Sequence, residues 1–293
     1  MVKNKIGTEF SYFRIVNFFI LGLAAFSCLM PVIHILAVSL SSSSASAANL
    51  VRFWPVEFTL KSYELLLQRD DFFLSFYVSV KRAVLGTGIN VLTSVIMAYP
   101  LSKTAKVFPG RRVYISAMAF LMVFNGGIVP LYIVVRDLKL IDTIWALVLP
   151  SGVQIFNVIL MLNFFKELPQ EIEESAFVDG ASYIRVLASI IIPMSVTVIA
   201  TITLFSFVFH WNSWFDGLIY NNNSRNYPLQ TYMNGIVTGK DIKSLDQAQI
   251  YSEISSRTLR SAQIFISMLP VLLIYPFLQK YFIKGIIVGS VKG

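Results

Sequence analysis

Leu168-Pro169-Gln170-Glu171-Ile172-Glu173-Glu174-Ser175-Ala176-Phe177-Val178-Asp179-Gly180-Ala181-Ser182 is a polar segment with helical patterning, set between two membrane-length apolar runs. Pro169 suits the first turn of a helix, where a missing N–H is no loss, and Glu171, Glu173 and Glu174 then lie at the positive end of the helix dipole. Gly180 is a stop signal about three turns on, and Ser182 is placed to cap a second helix that continues into the next apolar run. Ile172, Ser175, Ala176 and Asp179 recur at three- and four-residue spacing, so one face is small and partly apolar and the other acidic. Such a helix is either a docking element or an acidic solvated loop, and periodicity alone does not choose.

The flanking runs set the fold class. Of 293 residues 56% are apolar and 14% charged, and mean hydropathy is +0.68, which excludes an ordinary soluble domain. Stretches free of Asp, Glu, Lys and Arg cover 15–51, 83–102, 113–135, 143–165, 186–215 and 261–279. Each reaches or approaches the roughly 20 residues that a helix needs to cross a bilayer core. Because they are continuous rather than alternating, they predict helices and not a barrel. The expectation is an all-α integral membrane protein of one domain, with six transmembrane helices at about 14–38, 79–101, 113–135, 143–165, 188–213 and 261–282 and a polar loop at about 166–187. The first run is too long for a signal-peptide core and is read as a retained anchor. The single cysteine, Cys28, excludes an intrachain disulfide.

Half of the 24 Lys and Arg residues fall on each side of such a membrane, so their raw count does not orient it. Placement does: the short loop from Lys103 to Arg112 holds four bases and no acid, whereas most opposing bases lie in longer loops where the rule is weak. Both termini and the 166–187 loop are therefore expected on the cytoplasmic side. Two larger segments, about 39–77 and 216–260, then face outward. The first reads as a compact cap with a short helix, and Asn221-Asn222-Asn223-Ser224-Arg225-Asn226 in the second reads as a turn.

Polar side chains inside spans are costly and therefore informative. Asn90, Gln154, Asn157, Thr197 and Thr201 either project into a central path or join helices by hydrogen bonds. Amides in a path suit a hydroxyl-covered substrate, since each offers both donor and acceptor. The charge-free spans argue against a proton- or sodium-driven carrier. His210-Trp211-Asn212-Ser213-Trp214-Phe215 closes the fifth span, where tryptophans commonly form an interfacial belt. His210 and His34 have no partner at ligand spacing, so no metal site is expected. Gly235-Ile236-Val237-Thr238-Gly239-Lys240-Asp241 is one residue short of a phosphate loop and has Asp where Ser or Thr is needed. No nucleophile elbow or His-Glu-x-x-His is present. No catalytic residue, and no nucleic-acid partner, is assigned.

Glu174-Ser175-Ala176, three residues, Gly180, nine residues, Ile190, one residue, Ile192-Pro193 resembles the signature loop of binding-protein-dependent ABC importer permeases, E-A-A, three, G, nine, I, one, L-P. Ser175 and Ile192 depart from it by small changes. Phe124-Asn125-Gly126-Gly127-Ile128-Val129-Pro130, the stretch from Leu138 to Pro150, and the ending from Tyr275 to Gly293 resemble carbohydrate-importer permeases of the maltose type, in a subgroup handling polysaccharide fragments. The resemblance implies a type I importer permease whose loop holds a coupling helix seated on an ATPase subunit, with Glu173, Glu174, Ser175, Ala176, Asp179, Gly180 and Ala181 at that contact. It implies a second homologous permease, an ATPase dimer that binds ATP and Mg, a periplasmic or lipid-anchored solute-binding protein, surrounding membrane lipid, and no cofactor in this chain. Ser290 and Lys292 would reach the ATPase through the tail, and Asn90, Gln154, Asn157, Thr201, Trp211 and Asn212 would line the substrate path. The implied location is the bacterial inner membrane, and the implied substrate an oligosaccharide, with alginate or another uronate oligosaccharide leading. A secondary transporter, or an ABC permease for a non-sugar solute, is the alternative.

Overall fold

The computed structural model describes residues 5–237 and 256–290, and every regular element among them is helical. In chain order these are α1 (Lys5–Ser39), α2 (Ser43–Ala47), α3 (Lys61–Leu67), α4 (Asp70–Ser102), α5 (Arg111–Val123), α6 (Ile128–Asp137), α7 (Ile144–Val148), α8 (Ile155–Glu167), α9 (Gln170–Val178), α10 (Tyr183–Val186), α11 (Ile192–Met194), α12 (Val196–Asn212), α13 (Phe215–Tyr220), α14 (Leu229–Val237) and α15 (Ser256–Ser290). By length and apolar content α1 from Tyr12, α4 and α15 to Phe277 can each cross a membrane, and three bent pairs bring the total to as many as six.

The bends have local causes. α5 and α6 meet at 116°, so the 113–135 stretch expected as one helix is broken. There Asn125 Oδ1 accepts the Gly127 N–H at 2.9 Å and Gly127 takes φ +85°, a conformation that glycine adopts without a Cβ penalty. The segment Ile144–Ser151 meets α8 at 48°, across a 3-10 turn containing Pro150. The third bend, 81° between Tyr183–Met194 and α12, falls at Ser195. Leu187–Ile191 forms a π turn immediately before it, and Pro193 removes a helical donor at the same place.

Two compact units divide the chain. One comprises the residues up to Asp70 with Ile236–Leu269, the other Asp71–Gly235 with the remainder from Pro270. In the first, Ala37, Val38, Ala45 and Val51 form a small core under the serine tract. Ser41 Oγ donates to the Ala37 carbonyl at 2.6 Å and accepts the Val56 N–H at 3.0 Å, while Ser42 caps α2 through the Ala45 N–H. Hydroxyls that bond back to the chain end α1 here, at the serine tract. In the second unit α4, α5, α8, α10 and α12 enclose a core that includes Ala98, Val158, Met161, Val186, Ile191, Val198 and Ile202.

Candidate functional site

α9 begins at Gln170 with Pro169 as its N-cap, one position earlier than the first-turn place expected, and carries Glu171 and Glu173 in its first turn. Its C-terminus closes as a Schellman motif: the Gly180 N–H reaches the Phe177 carbonyl at 3.0 Å and the Ala181 N–H reaches that of Ala176 at 2.9 Å, with Gly180 at φ +81°. Ser182 then caps α10, its hydroxyl accepting from the Arg185 N–H. Two helices are thus joined rigidly by four residues. Phe177 stacks obliquely on Tyr183 across the joint, at 4.8 Å between ring centres.

The faces of α9 differ. Ala176, Phe177, Leu168 and Ala181 pack against the core of the second unit, and Glu173 turns inward to an ion pair with Lys103. Lys103 also lies 4.2 Å over the Tyr99 ring. Glu174, Ser175, Asp179 and Gly180 are exposed. Beside them Val178 is 87% and Ile184 79% exposed, an apolar pair framed by acid. Of the seven residues assigned to this contact, four face outward and three, Glu173, Ala176 and Ala181, hold the helix to the bundle. A cavity of about 240 Å³ lies alongside, lined by Lys103, Lys166, Glu173, Glu174 and Tyr183 among others.

Farther along α4, α8 and α12 a buried polar ladder assembles. Asn90 Nδ2 donates to the Ser151 carbonyl at 2.6 Å, and its Oδ1 lies 3.1 Å from His210 Nε2. Asn157 Nδ2 donates to Gln154 Oε1 at 2.8 Å and to Ser206 Oγ at 3.0 Å. Three of the expected path residues are therefore gathered, yet Asn90 and Asn157 spend their amides on interhelical bonds. Thr201 bonds back to the Thr197 carbonyl at 3.0 Å within its own helix. Trp211 is not interfacial within this chain: it is 1% exposed and stacks on Phe207, with Phe76 edge-on. Asn212 is exposed. Ser290 ends α15, and Lys292 lies outside the described residues.

Reading the sequence missed Arg82. It adjoins the charge-free 83–102 stretch, but its side chain is fully buried, forks onto both carboxylate oxygens of Asp216 and donates to the Ser213 carbonyl at 3.1 Å. The partner lies 134 residues away, so no local pattern announces it. Gly86, one turn on, lets the His210 ring rest against the α4 backbone: a Cβ there would come within 2.4 Å of it. Asp142 has a similar long-range task. Its carboxylate accepts from the Asn222 N–H at 2.6 Å, Asn222 Nδ2 at 2.9 Å and the Asn223 N–H at 3.1 Å, and its carbonyl accepts Asn226 Nδ2 at 2.9 Å. The Asn222 side chain, followed by the two backbone amides, holds the Asp142 carboxyl below the usual range against a smaller effect of burial. Among the described residues no group of His, Cys, Asp or Glu is arranged to hold a metal.

Bent helical crossings together with an exposed acidic helix closed by a Schellman motif define a membrane permease that works through partner proteins. The chain belongs to the binding-protein-dependent transport system inner membrane component family, whose model matches residues 72–288. It is the permease subunit of a bacterial ABC importer, spans the inner membrane, and leaves ATP hydrolysis to a separate subunit. It is 38% identical to protein LplC of Bacillus subtilis (strain 168), over 96% of this chain and 95% of that one. With the polygalacturonan/rhamnogalacturonan transport system permease protein YtcP of the same organism it shares 36% identity, over 92% and 94%. A crystal structure of a bacterial ABC transporter involved in the import of the acidic polysaccharide alginate contains a chain with TM-score 0.85 and 32% identity, covering 93% of this chain and 97% of that one.

Proposed function

We propose that this permease imports oligosaccharides rich in uronic acid, alginate fragments or related uronates, handed over by a solute-binding protein. The observation that carries the reading is the full-length likeness to the permease of an alginate importer, at 32% identity and TM-score 0.85. The relative described as a polygalacturonan/rhamnogalacturonan permease supports it, since both named polymers contain uronates.

Both termini and α9 face the cytoplasm, and the chain is one permease domain with six crossings, three of them bent. α9 is the coupling helix: the exposed Glu174, Ser175, Asp179 and Gly180 seat on the ATPase, which binds ATP and Mg, and Glu173, Ala176 and Ala181 carry its displacement into the bundle. The rigid α9–α10 joint continues into the π turn and the bend at Ser195, so a push on α9 reaches α12 with no long loop between them. The substrate path runs past the breaks in the spans, where irregular backbone lines a cavity rather than lipid. Gln154 offers an Nε2 donor with no protein partner among the described residues. Asn212, Trp211 and Thr201 border the path on α12, while Asn90 and Asn157 hold its wall.

The test is the purified importer, with its binding protein, in liposomes. Uronate oligosaccharides should stimulate ATP hydrolysis and enter the lumen, and neutral oligosaccharides should not. Glu174→Lys should leave the complex assembled while uptake per ATP falls about tenfold, as expected when a charge-assisted contact worth about 1.5–3 kcal/mol is reversed. Equal stimulation by neutral sugars would remove the uronate assignment, and unchanged uptake in Glu174→Lys would remove the coupling role.

A further inference from the structure

On the face of the second unit opposite α9, a cavity of about 250 Å³ is lined by Leu74, Tyr77, Val78 and Lys81 of α4, by the Asp142–Leu147 turn, and by Asn221, Arg225 and Asn226. Residues 74, 77, 78 and 81 follow helical spacing, so a single face of α4 supplies one wall. Tyr77 on that wall is 62% exposed. The opposite wall is the 221–226 loop, which does not drift, because Asp142 binds two of its backbone amides and two of its side-chain amides.

Charge decides what the cavity favours. Lys81, Arg225 and Asp142 are its ionisable groups. The Asp142 carboxylate is consumed by donors from the loop, and among the described residues neither Lys81 nor Arg225 forms an ion pair. Two cations without a counter-ion, an exposed aromatic ring and amide groups surround a space of sugar-ring scale. Aromatic faces accept the apolar faces of sugar rings, amides satisfy hydroxyls, and Arg and Lys bind carboxylate.

We propose that this cavity is a uronate subsite at the outer mouth of the permease, with Lys81 and Arg225 binding the sugar carboxylate and Tyr77 stacking under the ring. The proposal deepens the importer reading and rests on its orientation. The subsite receives an acidic sugar residue as the binding protein releases it, ahead of the membrane path, and so discriminates for charge before translocation. An acidic side chain of the binding protein is a different occupant. The concave lining with an aromatic platform and the amide oxygens of Asn221 and Asn226 fits a sugar better than a lone carboxylate.

The experiment uses the complete importer in nanodiscs without binding protein. A uronate trisaccharide and its carboxyl-reduced neutral counterpart are titrated by calorimetry at low and physiological salt. The wild-type complex should bind the uronate, lose affinity as salt rises, and bind the reduced sugar at least tenfold more weakly. Lys81→Gln with Arg225→Gln should weaken uronate binding by about tenfold per cation removed, and Lys81→Arg with Arg225→Lys should restore most of it. Equal affinity of the wild type for both sugars would overturn the subsite, and this reading needs no variant. Unchanged uronate binding in the double Gln variant, with weaker docking of the binding protein, would assign the cations to protein contact instead. Failure of the uronate reading is distinct, because the wild-type complex supplied with its binding protein would then show no uronate-stimulated ATP hydrolysis at all.

Discussion

Two ion pairs anchor the long helix α4, one toward each end, and they are built for different duties. Arg82 is wholly buried, grips Asp216 with both arms of its guanidinium and has a backbone carbonyl as a further acceptor. Lys103 presents a single ammonium to Glu173 at the edge of a cavity of about 240 Å³. A planar fork that makes two parallel bonds from a fully buried guanidinium is pre-organised, although Asp216 itself is 29% exposed. A flexible ammonium beside open space exchanges its carboxylate for water at little cost. The first pair fixes α4 against the junction of α12 and α13, while the second holds α9, the proposed coupling helix. Clamp and latch therefore sit on α4 and on the residue that directly follows it.

The contrast breaks most readily at the clamp. Arg82→Met leaves the part-buried Asp216 without its counter-ion, and loss of one partner from a buried pair costs up to about 3–5 kcal/mol. Thermal unfolding of the purified complex should show a large fall in Tm, and Arg82→Met with Asp216→Leu should recover most of it. A fall no larger than that of Lys103→Met would mean that burial does not separate the two pairs.

Next in size is the close approach that the clamp maintains. A Cβ at position 86 would come within 2.4 Å of the His210 ring. Gly86→Ala should therefore cost about 1–3 kcal/mol through overpacking. Adding His210→Ala should relieve the clash, giving a favourable coupling between neighbours of about 1 kcal/mol or more in a double-mutant cycle of unfolding midpoints. Additive costs would show that α4 and α12 are not held ring against backbone.

How much of this was legible before the structure follows from the range of each interaction. Gly180, Ser182 and the acidic first turn of α9 announce themselves because caps and dipoles act over three or four residues. Apolar length marked the crossings for the same reason, but a count of charges is blind to direction, so the break at Asn125-Gly126-Gly127 in the third span was passed over. The outward or inward aim of Glu173 and Glu174 could not be separated, since neighbours in sequence share composition and differ only in what the fold brings to them. Arg82 and Asp142 find partners 134 and 80 residues away. Their roles depend on pairing that no window along the chain contains. The place of Trp211 at a helix end suggests an interfacial belt, whereas packing by Phe76 of α4 makes it interior, and His210 beside it rests on Gly86 and Asn90.

The smallest expected effect is the most informative about the latch. Glu173→Gln removes the charge from α9 but keeps a side chain of the same shape with donor and acceptor groups, so Lys103 stays solvated by the adjoining cavity and above the Tyr99 ring. Stability of the complex should change by no more than about 1 kcal/mol, because the pair, though part-buried, borders a cavity that hydrates Lys103, and the difference from wild type should shrink further at high salt. Uptake per ATP should fall, though by less than in Glu174→Lys, because Glu173 transmits motion inward rather than meeting the ATPase. A loss of stability matching that of Arg82→Met would turn the latch into a second clamp, and α9 would then have to move together with α4 rather than against it.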